Sequence, residues 1–272
     1  MNAATKDATA QSTVASTTPP NWDTFQPHPY WKENYAYLRG DDRRFLNLIR
    51  DFFGAEQPAT VDGERLGIDV GSGANLYPAL AMLPLCDKVT LFEYGAANCA
   101  WLRESARKYQ TLWDPYWRTL RVHPAYAKIG SNARSRLARA AQVEQGSLFD
   151  LPKRRYHVGT MFFVAESITN DPDEFHDAID KFLGCLQPGA PFAAAFMRNS
   201  SGYSVDGQEF PALQIDEHDI KLYLDKVAAV RTIETVNERG LFIQGDNAPD
   251  KTPTRQLRSG YEGMILALGH AI

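Results

Sequence analysis

Leu66-Gly67-Ile68-Asp69-Val70 is a short apolar run that fits a buried strand. It breaks at Gly71-Ser72-Gly73, where glycine permits a sharp turn and close approach of a ligand to the backbone. Apolar residues return at helical spacing at Tyr77, Leu80, Ala81 and Leu83. A strand, a glycine turn and a helix leave backbone N–H groups free at the turn, which suits a nucleotide-like ligand. The dinucleotide fingerprint G-x-G-x-x-G fails at its last position, where Leu76 stands. Asp69, two residues ahead of the turn, suits an adenosyl group carrying a charged amino-acid tail.

Glu93 ends a second apolar run that starts at Lys88. It lies about 20 residues past the turn, the distance at which a carboxylate accepts both hydroxyls of a ribose. Val143 to Pro152 reads as a short strand and a polar turn, with Ser147 or the Leu148 amide placed to meet an adenine edge. Tyr156 to Ala165 is strongly apolar and reads as a central strand ending at Glu166. Catalytic groups of open α/β sheets gather at the carboxyl ends of strands. Trp22, Phe25, Tyr30, Trp31, Tyr35 and Tyr37 crowd residues 21–40. They dock as the inner face of a surface helix or close as a lid over a ligand.

These groups need a frame, and the rest of the chain supplies one. Residues 41–53 are patterned as an amphipathic helix, capped by Asp41 or Asp42 and stopped by Gly54. Asn98 to Arg107 reads as a helix. Residues 131–142 carry Arg134, Arg136 and Arg139 at helical spacing, a solvated basic face or an anion site. Asp171-Pro172-Asp173-Glu174 opens another helix, with Asp171 as N-cap and Glu174 as the capping-box acid. Pro191 to Met197 is a buried strand, and 198–210 is a polar loop holding Tyr203. Residues 216–227 form a helix capped by Asp216. Two closing strands, 229–236 and 261–268, flank a polar, proline-containing loop at 246–260 expected to be mobile. Residues 1–20 read as a disordered tail, and 21–272 as one domain with its lid at 21–53.

The 272 residues are 44% hydrophobic, enough for a sizeable core. A net charge of −4 argues against a general nucleic-acid binder. Cys86, Cys99 and Cys185 are scattered, without metal-site spacing, which points to a reducing cytoplasm and no metal. No apolar run reaches the roughly 20 residues of a membrane-crossing helix, and no signal peptide is evident.

The order of units resembles the class I S-adenosylmethionine-dependent methyltransferases. The fold class expected is α/β, a Rossmann-like three-layer sandwich with a mostly parallel sheet, an antiparallel C-terminal strand and an N-terminal helical lid. The closer resemblance is to the nicotinamide, phenylethanolamine and thioether methyltransferase family. It rests on Tyr30-Trp31-Lys32-Glu33-Asn34-Tyr35, on Ile68 to Tyr77, and on Glu93-Tyr94 with Asn98. Asn170-Asp171-Pro172-Asp173 and Gln208-Glu209-Phe210 continue it.

That resemblance implies S-adenosyl-L-methionine as cofactor and S-adenosyl-L-homocysteine as product. It puts Asp69, Gly71, Ser72, Gly73, Asn75 and Tyr77 around the methionine part and Glu93 on the ribose. Tyr94, Asn98, Ser147, Leu148 and Ala165 complete the cofactor pocket. Trp31 and Tyr35 would cover cofactor and substrate, with Tyr203 in the substrate-stacking loop. The family usually has aspartate at the ribose and adenine positions, where this chain has Glu93 and Ser147. The catalytic candidates are Glu166, Tyr35 and Tyr203, with Glu166 orienting an amine or taking its proton. The acceptor expected is a small molecule, an amine nitrogen ahead of oxygen or sulfur, in specialised metabolism. The assembly expected is a monomer or homodimer without nucleic-acid or membrane partners. Two alternatives stand beside it: another S-adenosylmethionine-dependent reaction such as alkylation with ring closure, and a non-catalytic binding protein that kept the fold.

Overall fold

The structure is a computed structural model, and it describes residues 22–205, 207–236 and 262–272. The segments 1–20 and 246–260 lie outside those residues. In chain order the helices are α1 Pro27–Asn34, α2 Gly40–Ala55, α3 Tyr77–Met82, α4 Ala96–Lys108 and α5 Asp114–Leu120. They continue with α6 Pro124–Ala127, α7 Ala133–Ala140, α8 Pro172–Gly184 and α9 Glu217–Val227. The strands are β1 Leu66–Val70, β2 Lys88–Glu93, β3 Ala141–Gln145, β4 Val158–Phe162 and β5 Pro191–Met197. A small hairpin, β6 Tyr203–Val205 with β7 Gln208–Phe210, precedes β8 Ala228–Val236 and β9 Met264–Ala271.

The main sheet runs β3-β2-β1-β4-β5-β9-β8. β1 pairs in parallel with both β2 and β4, so chain order reverses direction across the sheet at β1. In open α/β sheets ligands bind at such a switch point, outside the carboxyl ends of the strands. β9 is inserted antiparallel between β5 and β8. β1, β2, β4 and β5 are buried almost throughout, as parallel strands covered by helices on both faces must be. One core packs α2, α3 and the 109–140 helices against one face. A second packs α8 and α9 against the other.

Several boundaries differ from the sequence reading. α2 runs one residue past Gly54, and Arg39, not an aspartate, is its N-cap. Asp41 and Asp42 sit inside the first turn, where negative charge favours the helix dipole. β4 stops at Phe162 because Phe163 takes a left-handed backbone, φ 59°. The Ala165–Ser167 segment is therefore a 3-10 turn. Residues 198–210 contain the hairpin and are not all loop. Arg136 is tied down, donating to the carbonyls of Cys86 and Asp87.

The irregular 109–145 region has a positioning role. Tyr116 of α5 stacks on Tyr77 of α3, ring centroids 5.6 Å apart. Its hydroxyl is within donating distance of the carbonyls of Tyr37, at 3.1 Å, and Tyr35, at 3.3 Å. This holds the link between α1 and α2 against the sheet. Tyr116→Phe is expected to cost about 1 kcal/mol, read as a lower urea midpoint at unchanged slope.

Candidate active site

A cavity of about 470 Å³ opens at the carboxyl ends of β1, β2 and β4. Its floor is the glycine turn. Gly71 and Gly73 have φ of +64° and +53°, which side chains other than glycine rarely adopt. A Cβ on Gly71 would collide with Val164, whereas one on Gly73 would find only the Gly71 carbonyl oxygen, at 3.8 Å. The space over Gly73 is open.

The turn's N–H groups are not free, contrary to the expectation from sequence. Gly71 and Ser72 donate to the Phe92 carbonyl oxygen at 2.8 and 3.2 Å, and Asn75 donates to the Ser72 carbonyl. Gly73 donates to Glu93 Oε2 at 2.8 Å. Gly95 donates to Glu93 Oε1, also at 2.8 Å. The Glu93 carboxylate thus bridges two loops, with the Asn98 side chain as a further donor. Burial raises the Glu93 carboxyl, and these donors oppose the rise. A carboxylate offers about four acceptor sites; the two donors at 2.8 Å fill one on each oxygen, and the Asn98 side chain and the Tyr94 N–H share the rest.

Asp69 lies at the cavity floor. Thr160 donates to its Oδ1 at 2.7 Å, while Oδ2 is buried with no hydrogen-bond partner among the described residues. Burial pushes the Asp69 carboxyl up to about 7, opposed by the Thr160 bond and by the Ser72 hydroxyl beside it, which donates to the Asp69 backbone carbonyl. Asn98 Oδ1 is a second buried acceptor without a partner among the described residues.

The roof joins residues far apart in sequence. Trp22 and Phe25 pack on Phe210, with Trp22 at 4.8 Å between ring centroids, and Tyr203 stacks on Phe210 at 5.1 Å. Thr24 Oγ1 donates to Gln208 Oε1 at 2.6 Å. These aromatics form a small apolar cluster separate from both cores. Tyr30 and Tyr35 continue the wall, and Phe162, Phe163 and Ile168 line it from the β4 side. Ser147, Leu148, Phe149 and the exposed Tyr94 close the far end.

The cavity brings together Tyr35, Asp69, Gly71, Ser72, Gly73, Asn75, Glu93, Tyr94, Asn98, Ser147, Leu148 and Tyr203. It leaves out four residues expected there. Trp31 is buried between α1 and α4, its ring 6.4 Å from Trp101. Tyr77 lies beneath the floor, its hydroxyl facing the buried Asp42 carboxyl; only its N–H is tied to the wall, donating to Asn75 Oδ1 at 3.0 Å. Ala165 is fully buried.

Glu166 does not line the cavity either. It is fully buried, and its Oε1 accepts from the Met197 N–H at 2.9 Å and from Ser167 Oγ at 3.2 Å. The left-handed residue at Phe163 ends the strand early and turns Glu166 inward to hold the end of β5. The sequence reading passed over Asp23, Phe163 and Ile168 as wall residues, and it took Glu174 for a helix cap. No period or motif marks the first three, since only the assembled sheet brings them to one rim.

The family model of the NNMT/PNMT/TEMT family matches residues 15–242. No curated protein sequence matches the chain. Among solved structures it is similar to the N-methyltransferase NodS from Bradyrhizobium japonicum WM9 in complex with S-adenosyl-L-homocysteine. That match has a TM-score of 0.51 at 10% identity and covers 89% of this chain and 98% of that one. It is also similar to geranyl diphosphate C-methyltransferase from Streptomyces coelicolor A3(2), with a TM-score of 0.52 at 11% identity. There the coverage is 85% of this chain and 79% of that one. At such identities the likeness concerns the fold.

The raised Asp69 carboxyl makes stability depend on pH. Between 3.8 and about 7 the folded chain holds a proton that the unfolded chain has lost. The folded state is favoured at the acid end, and this contribution fades as pH rises through that interval. Asp69→Asn is therefore expected to raise the melting temperature of the cofactor-free protein at pH 8 by on the order of 5 °C. At pH 5 the gain is smaller. Equal gains at both pH values by scanning calorimetry would contradict the assignment.

Proposed function

The chain belongs to the NNMT/PNMT/TEMT family and is an S-adenosylmethionine-dependent methyltransferase; from that premise we propose that it methylates a small molecule at an amine nitrogen. One observation carries the reading: among the described residues the cavity wall holds Asp23, Asp69, Glu93 and Glu174, ten aromatic side chains such as Tyr30 and Tyr203, and no Lys, Arg or His. Such a lining favours cations and amines and repels carboxylates and phosphates.

The residues present fit the cofactor. The unpartnered Asp69 Oδ2 on the floor suits the ammonium of an amino-acid tail, and the open space over Gly73 accommodates that tail beside Asn75. Glu93 would accept from the ribose hydroxyls at the acceptor sites that Asn98 and Tyr94 share beside its two backbone donors at 2.8 Å. Ser147, Leu148, Phe149 and Tyr94 would flank the adenine. When bound, the cofactor supplies an electrophilic methyl carbon on a sulfonium.

Everything else falls to the chain. Tyr30, Tyr35 and Tyr203 would hold the acceptor with its lone pair in line and exclude water through the Trp22–Phe210 roof. The nitrogen must arrive neutral, because a protonated amine has no lone pair to offer. As positive charge develops on it, the aromatic faces stabilise that charge, with Asp23 as the wall carboxylate not assigned to the cofactor. Glu166 stays outside this step as a support for β5. The specialised-metabolism and cytoplasmic readings rest on the sequence resemblance and the cysteine usage.

A matched acceptor panel tests the proposal, pairing amines with phenols and carboxylic acids on the same aromatic or aliphatic body. With methyl-labelled cofactor, the amines are expected to show at least about tenfold higher kcat/KM. Their rate should rise with pH until the acceptor is deprotonated. Faster labelling of a phenol or a carboxylic acid would overturn the amine reading.

A further inference from the structure

We propose that Glu174 reads the 6-amino group of the cofactor's adenine, the task that an aspartate on the loop after β3 ordinarily performs in this family. The proposal rests on the adenine lying toward Ser147–Phe149, as placed above.

The first observation concerns Ser147. Its Oγ accepts the Phe149 N–H at 3.3 Å and so caps the 3-10 turn Leu148–Asp150. A serine hydroxyl committed to that cap is a poor substitute for a carboxylate as acceptor for an exocyclic amine. The loop after β3 thus presents no carboxylate to the cavity, since its one acid, Asp150, does not line it.

The second observation concerns Glu174. In sequence it stands three residues after the N-cap Asp171, where a capping-box acid turns back to accept the N-cap N–H. The structure gives that job to another residue. The Asp171 N–H donates to Thr169 Oγ1 at 3.0 Å, and Asp171 Oδ1 takes the Asp173 N–H at 2.9 Å. Glu174 is released from the cap. Among the described residues its carboxylate has no hydrogen-bond or ion-pair partner.

The third observation is placement. α8 packs against the Leu148–Asp150 turn, and Glu174, in the first turn of α8, lines the same cavity as Ser147, Leu148 and Phe149. An uncommitted carboxylate stands beside the segment expected to flank the adenine. A carboxylate only accepts hydrogen bonds, so it favours a 6-amino purine, which donates there, over a 6-oxo purine, which accepts.

Isothermal calorimetry without any acceptor tests this, using S-adenosylhomocysteine and its 6-oxo analogue S-inosylhomocysteine. The unchanged protein is expected to prefer the amino compound. Glu174→Ala should weaken S-adenosylhomocysteine binding about tenfold and leave the 6-oxo compound unaffected. Glu174→Gln, whose amide can donate, should weaken the amino compound and strengthen the 6-oxo one. Glu174 is exposed, so both variants are expected to fold, checked by unchanged melting temperature. Unaltered S-adenosylhomocysteine affinity in both variants would overturn the proposal, as would equal losses for the two ligands. Absence of any preference in the unchanged protein would overturn the adenine placement itself. Because no acceptor is present, failure of the amine reading would leave this result standing.

Discussion

The Glu93 carboxylate is the link on which the site depends. It joins the glycine turn after β1 to the loop after β2 through two backbone N–H groups, each at 2.8 Å. A buried carboxylate is costly unless it is hydrogen-bonded, and here both oxygens are satisfied by amides that cannot move without breaking the sheet ends. The Phe92 carbonyl reinforces the link by taking the Gly71 and Ser72 amides. The turn therefore contributes shape, and the acceptors come from the side chains around it. Glu93, Asp69 and Asn98 present lone pairs to the cavity, which suits a ligand rich in hydroxyl and ammonium donors.

Around that polar floor the chain builds an aromatic enclosure from two distant segments, residues 22–35 and the β6–β7 hairpin. Their contact is a small separate cluster that joins ring packing to the Thr24–Gln208 side-chain hydrogen bond. A methyl donor must be shielded from water during transfer yet exchanged on every turnover, and a roof assembled from two separate segments suits both needs.

Much of this was legible in the sequence, because the informative features are local. An apolar run, two glycines and a helical period placed β1, its turn and α3, and a 20-residue spacing placed Glu93 at the rim. Other positions were not legible, since strand ends do not announce which way a side chain faces. Glu166 was expected in the site, but one left-handed residue at Phe163 turns it into the core. Tyr77 was expected on the ligand, but the helix it opens carries its ring under the floor and against Tyr116. Glu174 matched a capping box, and nothing in the pattern shows that Thr169 takes the bond instead.

The central claim is that Glu93 serves by its reach as well as its charge, spanning the two loops while facing the ligand as an acceptor. Glu93→Asp tests it most directly, because it keeps the carboxylate and shortens the arm by one methylene. Calorimetry with S-adenosylhomocysteine should then show affinity at least tenfold below that of the unchanged protein, on the order expected for losing one charge-assisted backbone bond. Binding within twofold of the unchanged protein would contradict it.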